Sequence, residues 1–441
     1  MVHRMVRGGV AAWLLAVALG SAGDAHAADT VLARAPSFGH VELAGDRVVT
    51  SVPSGARRQA LRAFAAGRAP QTLLTAPADD GEFVPLLYAA SAERAIAVLQ
   101  GRDNRLVSLP FDGPPTQVDR CPWPAAPVLG APAAGGPLGV WGACTAGQLL
   151  VQDASTGTSQ TIASGNTGTL AAAAPYAAWI ESFQDADRFL RTRLVVFDAA
   201  AGAVAYRVDV PPVYALAVQS DGTAVVSGAF DGSAADCPDH LGGQVAWFSV
   251  AEPTAHVTDR VSCGGLAAAG GRVAVAAPAG AGATALSVGP VTGGPGVPVA
   301  RYSRGVPPGA FDFDGISVTW VRSDCRGASL LLGSPDAGRP VADAAPPCPI
   351  VVGRAPRLGR DGALRVRLTC RAGCQGTLGV VGPGPRRSRL RAFDVPRGSR
   401  SVRIALGAAQ RRAVRRLRHP VVGVTLRTAR GTRTVRRAVV V

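Results

Sequence analysis

Val213-Tyr-Ala-Leu-Ala-Val-Gln-Ser-Asp-Gly-Thr-Ala-Val-Val-Ser-Gly-Ala-Phe230 reads as two short strands around a tight turn. The turn is Ser220-Asp221-Gly222, in which Gly supplies the positive φ that a hairpin needs. Two further β-rich runs follow at 243–250 and 256–261, which makes a unit of four strands. The second run of that unit has counterparts along the chain at Val48, Ile96, Val140, Trp179, Val225, Val273 and Val318, spaced by 48, 44, 39, 46, 48 and 45 residues. One small sheet cannot bury both faces alone, so a four-strand period of this length predicts a β-propeller of seven blades. The fourth unit is expected at 169–174, 176–183, 193–198 and 204–210. The seventh is expected from Phe311 through 316–321 and 329–332 to a weak outer strand near 341–344. Thr30–Arg34 is expected to pair with the last blade and latch the ring.

Residues 215–226 and 194–202 resemble the repeats of TolB-type and WD-repeat propellers, over roughly residues 38–348. The resemblance implies a toroidal binding scaffold and carries over no catalytic residue.

The chain opens with Arg4 and Arg7, an apolar core at 10–19 and Ala25-His26-Ala27, the pattern of a secretory signal peptide over 1–27. About ten apolar residues cannot cross a bilayer, which needs roughly 20. The protein is therefore expected to be secreted or extracellular, associated with the cell surface at most, with a propeller over 28–348 and a second domain over 349–441.

Eight cysteines, all after that segment, suit an oxidising compartment. Cys144, Cys237 and Cys325 follow second strands, and Cys121, Cys263 and Cys348 follow fourth strands. Pairing 121–144, 237–263 and 325–348 would join loops on one face of the ring, and Cys370 with Cys374 would close a tight loop.

Composition breaks after Pro349. Residues 350–441 hold 23 Arg and two acids, Asp361 and Asp394, against 21 Arg and 27 acids over 28–349. All 46 basic residues are Arg, so no Lys can serve as a Schiff base or general base. Strand-like runs and one short helix at 408–417, with Ala413, Val414 and Leu417 inward, predict a small β-sandwich. The segment resembles the Arg-rich immunoglobulin-like tail domain of secreted proteins from high-GC bacteria. Its charge points to an anionic wall polymer or glycan as partner. Phe393 is the domain's only aromatic, so no specific nucleic-acid recognition is expected.

Catalytic signals are thin: no Gly-x-Ser-x-Gly, phosphate loop or His-Glu-x-x-His occurs. Outside the leader the histidines are His40, His240, His256 and His419. The loop Asp231–His240 carries three carboxylates and a His, read as a solvated, disulfide-braced loop rather than a metal site. Phe311-Asp312-Phe313-Asp314-Gly315 is read as a strand ending in an Asp-Gly turn. No catalytic, cofactor-binding or metal-binding residue is assigned. An acidic rim (Asp79, Asp80, Glu82, Asp119, Asp185, Asp187, Asp231, Asp236, Asp239, Asp259 and Asp324) is expected on the disulfide-bearing face, where the basic domain or a protein partner could dock.

The expectation from sequence is an all-β protein, a seven-bladed β-propeller plus a small C-terminal β-sandwich with one short helix. Its expected role is a secreted, non-enzymatic binding scaffold held to a wall or polyanion by the basic domain. The alternative is an extracellular propeller hydrolase or lyase acting on glycans, which would need two close acids, one of raised pKa.

Overall fold

The structure is a computed structural model. It describes residues 29–54, 59–75, 84–100, 103–122, 133–142, 148–153, 158–164, 167–230, 237, 242–280, 283–302, 310–324, 327–337, 350–370, 374–382, 391–395, 398–428 and 431–440.

After β1 (Thr30–Ala35), the first blade is β2 (Val41–Ala44), β3 (Arg47–Pro53), β4 (Gln59–Ala65) and β5 (Gln71–Thr75), hydrogen-bonded in that order. Five more blades follow: β6 (Val84–Ala90) to β9 (Thr116–Pro122), β10 (Ala133–Gly135) to β13 (Thr158–Ser164), β14 (Thr167–Ala173) to β17 (Ala203–Val210), β18 (Val213–Val218) to β21 (His256–Cys263), and β22 (Leu266–Ala269) to β25 (Val297–Tyr302). The seventh is β26 (Phe311–Phe313), β27 (Val318–Asp324) and β28 (Gly327–Gly333), completed by β1. The first strand of each blade touches the first strands of both neighbours, through β2, β6, β10, β14, β18, β22 and β26 and back to β2. Seven blades therefore close one ring, with those strands innermost.

The repeat that announced the fold lies in the second strand of every blade. Val48, Val140, Trp179, Val225, Val273 and Val318 are wholly buried, and Ile96 nearly so. Such a strand is paired on both edges and packed by a neighbouring blade on both faces, so it reads as an unbroken apolar run. Each fully buried side chain of this kind contributes about 1.5–3 kcal/mol. Inner strands instead carry small residues, such as Ala133-Ala134-Gly135 and Ala267-Ala268-Ala269, where seven strands crowd together.

The seventh blade differs from expectation. Its outer strand is β1, antiparallel to β28 with Thr30 opposite Leu332 and Ala35 opposite Ala328, and the expected strand at 341–344 lies outside the described residues. Ile316 is 76% exposed because it occupies the β26–β27 turn rather than a strand.

Residues 350–440 form two sheets around one apolar core. In one, β31 (Ala363–Cys370) lies between β34 (Gly398–Ala405) and the pair β29 (Ile350–Val352) and β30 (Arg357–Leu358). In the other the order is β33 (Arg391–Val395), β32 (Cys374–Val381), β35 (Val421–Thr428), β36 (Gly431–Ala438). Helix α1 (Ala408–Arg416) buries Val414 and Gln410. Leu417, expected inward, ends the helix in extended geometry and is 47% exposed.

Cys237 and Cys263 are bonded, tying the β19 (Ala224–Gly228) to β20 (Gly242–Phe248) connection to the end of β21. Cys370 is bonded to Cys374. The side chains of Cys121, Cys144, Cys325 and Cys348 lie outside the described residues, as does the leader over 1–27.

Candidate functional site

The seam between the first and seventh blades gathers three titratable side chains. On β2, Val41 and Leu43 enter the apolar core shared with the seventh blade, and strand alternation turns Glu42 away from that core. On β26, Phe311 and Phe313 face the sixth blade, so Asp312 between them turns to β2. Ala44 and Arg47 close a two-residue hairpin. In such a ladder the amide of Leu43 points to the free inner edge of β2, and Asp312 takes it: Leu43 N–H donates to Oδ2 at 2.6 Å. Phe313 N–H donates to Oδ1 at 2.8 Å.

Asp312 is also hydrogen-bonded to Glu42. Its carboxyl is held well above the usual carboxylate range, chiefly by burial and next by the negative charge of Glu42. The two backbone amides pull the other way and are outweighed. From the far side, His40 Nε2 pairs with Glu42 Oε1 in a short contact. Burial, the largest influence on the imidazole, lowers its pKa, yet the charge and hydrogen bond of Glu42 together leave it raised. The His40 and Glu42 side chains nevertheless keep 38% and 20% of their exposure, so solvent reaches the group.

Gly39 fixes the approach to this cluster. Its amide donates to Ser51 O at 2.9 Å, and a Cβ at this position would fall on Ser51 Oγ. The segment can lie this close to β3 only without a side chain, and His40 is delivered to Glu42 as a result.

What results is two carboxyl groups and an imidazole in contact, with Glu42 paired to both Asp312 and His40. Their titration has a stability consequence. Asp312 keeps a proton in the folded chain that the unfolded chain releases near pH ~3.9, so stability falls as pH rises from there through the folded-state pKa. His40, also raised, contributes stability below ~6.5 that is lost as pH climbs through its folded-state pKa. Both act in one direction. The melting midpoint is expected to fall between pH 4.5 and 8.5, and Glu42→Gln should flatten that fall by removing the charge that raises both groups. Equal slopes in the two proteins, measured by scanning calorimetry, would refute the coupling.

Sequence reading left these residues unassigned. His40 stood among the histidines and Asp312 was read only as part of a turn. The turn itself is present: Asp314 Oδ1 accepts from Ile316 and Ser317, and Gly315 has φ of 101°. Glu42 was not singled out. The available signal was acids on the inner strands of the first and last units, where the inner strands of the other blades carry no charged residue. Ring closure makes those two units neighbours.

Other expected features fare differently. Within the expected acidic rim, Asp185 is spent on its own loop, accepting from the amides of Asp187 and Phe189 and from Arg191 Nε. Asp259 reaches the amide of Gly294. Asp79, Asp80, Glu82, Asp231, Asp236, Asp239 and the Asp324 side chain lie outside the described residues, as does the 231–240 loop apart from Cys237. Among the described residues, no three His, Cys, Asp or Glu side chains are arranged to hold a metal ion. No described helix is long and apolar enough to cross a membrane.

No protein-family model matches the chain, and no curated protein sequence matches it. Solved structures do. A mutant puromycin hydrolase is 15% identical with a TM-score of 0.44, the match covering 77% of this chain and 59% of that one. A prolyl endopeptidase is 13% identical with a TM-score of 0.47, covering 76% and 53%. The acylaminoacyl peptidase of Pyrococcus horikoshii is 11% identical with a TM-score of 0.43, covering 78% and 58%. The chain thus spans little more than half the length of each. All three are enzymes by name, a hydrolase, an endopeptidase and a peptidase, where the sequence reading expected a non-enzymatic scaffold. At these identities the likeness shows the fold alone, and the chain's own chemistry must come from its own residues.

Proposed function

We propose that the protein is a hydrolase whose acid–base pair is Asp312 and Glu42, acting on amide bonds of peptides. The observation that carries this reading is the Asp312 carboxyl, held well above the usual carboxylate range by burial and hydrogen-bonded to Glu42 on a seam that solvent reaches. Two carboxyl groups that share one proton supply an acid and a base together. Glu42 takes a proton from water as its oxygen attacks the carbonyl carbon. Asp312 gives its proton to the carbonyl oxygen. As the tetrahedral species collapses, the C–N bond breaks, the departing nitrogen takes the proton from Glu42, and a hydroxyl of the diol gives its proton to Asp312 as it becomes the new carboxyl carbonyl, which restores the starting pair. His40 holds Glu42 in place from the other side.

The spacing favours peptides over glycans. Two-carboxylate glycosidases keep their acids about 5–5.5 Å or about 6.5–9.5 Å apart, with the sugar between them. A hydrogen-bonded pair leaves no such room.

The test is incubation of the purified protein with a mixed peptide library from pH 4 to 8, reading new termini by mass spectrometry. Cleavage that disappears in Glu42→Gln is the expected result, and absence of cleavage across the range would overturn the reading. The disulfides and the leader pattern support export, with 1–27 removed, the propeller over 28–348 and an immunoglobulin-like domain over 349–441. Bonds 121–144 and 325–348 complete the same proposal.

A further inference from the structure

Register places arginines side by side on the outer face of one sandwich sheet. Arg357 stands opposite Arg365, and Arg365 opposite Arg403, so three strands present three guanidinium groups in one row. Residues directly opposite share a face, with Cβ atoms about 4.5–5.5 Å apart. Arg367 lies two positions along β31 from Arg365, on the same face and about 7 Å away. All four are exposed. Ser401 stands opposite Arg367, and beyond it Thr369 and Ser399 share a hydrogen bond at 2.6 Å.

Like charges set opposite one another weaken a sheet. One carboxylate relieves this row: Asp361 Oδ2 accepts from Arg403 Nε at 2.9 Å, and that ion pair holds the Asp361 carboxyl below its usual range. Among the described residues, Arg365 acts on the same carboxylate only through its charge, and neither Arg357 nor Arg367 forms an ion pair. The opposite sheet is built otherwise. Among its described side chains, the outer face carries Thr377, Thr425, Thr434 and Val421 with a single arginine, Arg436. Among the described side chains, arginines thus stand closer together on the first of these two outer faces.

We propose that this face binds a linear acidic polysaccharide, its carboxylate or sulfate groups paired with Arg357, Arg365, Arg367 and Arg403. Guanidinium forks bind such groups in bidentate fashion, and the Thr and Ser hydroxyls suit sugar hydroxyls. The face is flat and lacks aromatic rings, and Phe393 is buried in the core, so bases find nothing to stack on. This surface is independent of the seam between the first and seventh blades.

The probe is fluorescein-labelled polygalacturonate, titrated with the full chain at low and high salt and read by anisotropy. Neutral dextran, a single-stranded DNA oligonucleotide and phosphatidylglycerol vesicles serve as competitors. Binding is expected at low salt, weakening steeply as salt rises. The triple variant Arg365→Gln, Arg367→Gln, Arg403→Gln should lose at least tenfold in affinity. Arg411→Gln, Arg412→Gln, Arg415→Gln removes the same charge from α1 and should change it by less than about threefold. Equal losses would reduce the effect to net charge and overturn the proposal. Stronger competition by DNA or vesicles than by unlabelled polygalacturonate would overturn the choice of ligand. Arg365→Gln alone, expected to lose at least threefold, provides the reading if the triple variant does not fold; no change would count against the face.

Discussion

Asn in place of Asp312 is expected to lower peptide hydrolysis by about 10²–10⁴-fold, the usual contribution of a positioned acid–base group. Asn is nearly isosteric and its carbonyl oxygen can still accept the 2.6 Å bond from Leu43 N–H, while its NH2 group cannot accept from Phe313 N–H as Oδ1 does. It cannot give a proton to a carbonyl oxygen. The loss should therefore fall on kcat while the melting midpoint at pH 7 changes little, because the lost bond from Phe313 N–H is offset by removal of a carboxyl that burial and Glu42 oppose ionising. In the unaltered protein the rate should fall on the alkaline side as Asp312 loses its proton, above the usual carboxylate range because burial and the charge of Glu42 oppose its ionisation. A variant that retains the full rate would end the assignment of Asp312 as the acid.

Removal of residues 30–35 is expected to cost at least about 4 kcal/mol. The strand stands opposite β28 at five positions, and a ladder bond is worth about 1 kcal/mol net. Leu32 and Ala33 also pack on the core between the first and seventh blades. Without β1 the seventh blade has three strands and an open edge, which invites pairing between molecules. The loss should show as a lower urea midpoint, accompanied by a concentration-dependent larger species on sizing. An unchanged midpoint would mean that the ring does not depend on this strand.

The architecture was legible because a strand buried on every side admits only apolar residues, and Val48 through Val318 recorded that seven times. The closing strand was legible at Thr30–Arg34 because a short β-rich run preceded the first full unit. The seventh outer strand was misplaced because the chain's two ends meet in one blade, and a period counted along the sequence does not wrap. The site was illegible for the same reason. Glu42 and Asp312 stand 270 residues apart, each plausible as an isolated polar residue, and only closure sets one against the other. Leu417 was misread because the helix ends one residue before it, a boundary that periodicity leaves loose.

Closure by β1 also sets a clock on the protein's own chemistry. The first strand made must wait unpaired until β28 has been synthesised, and Glu42 meets Asp312 only when the blades on either side of that join have formed. A chain cut short anywhere before residue 312 lacks half of the acid pair, and one that has not zipped shut holds the halves apart. If the pair is the acid–base centre proposed above, every chain that has not closed its ring would lack hydrolytic competence.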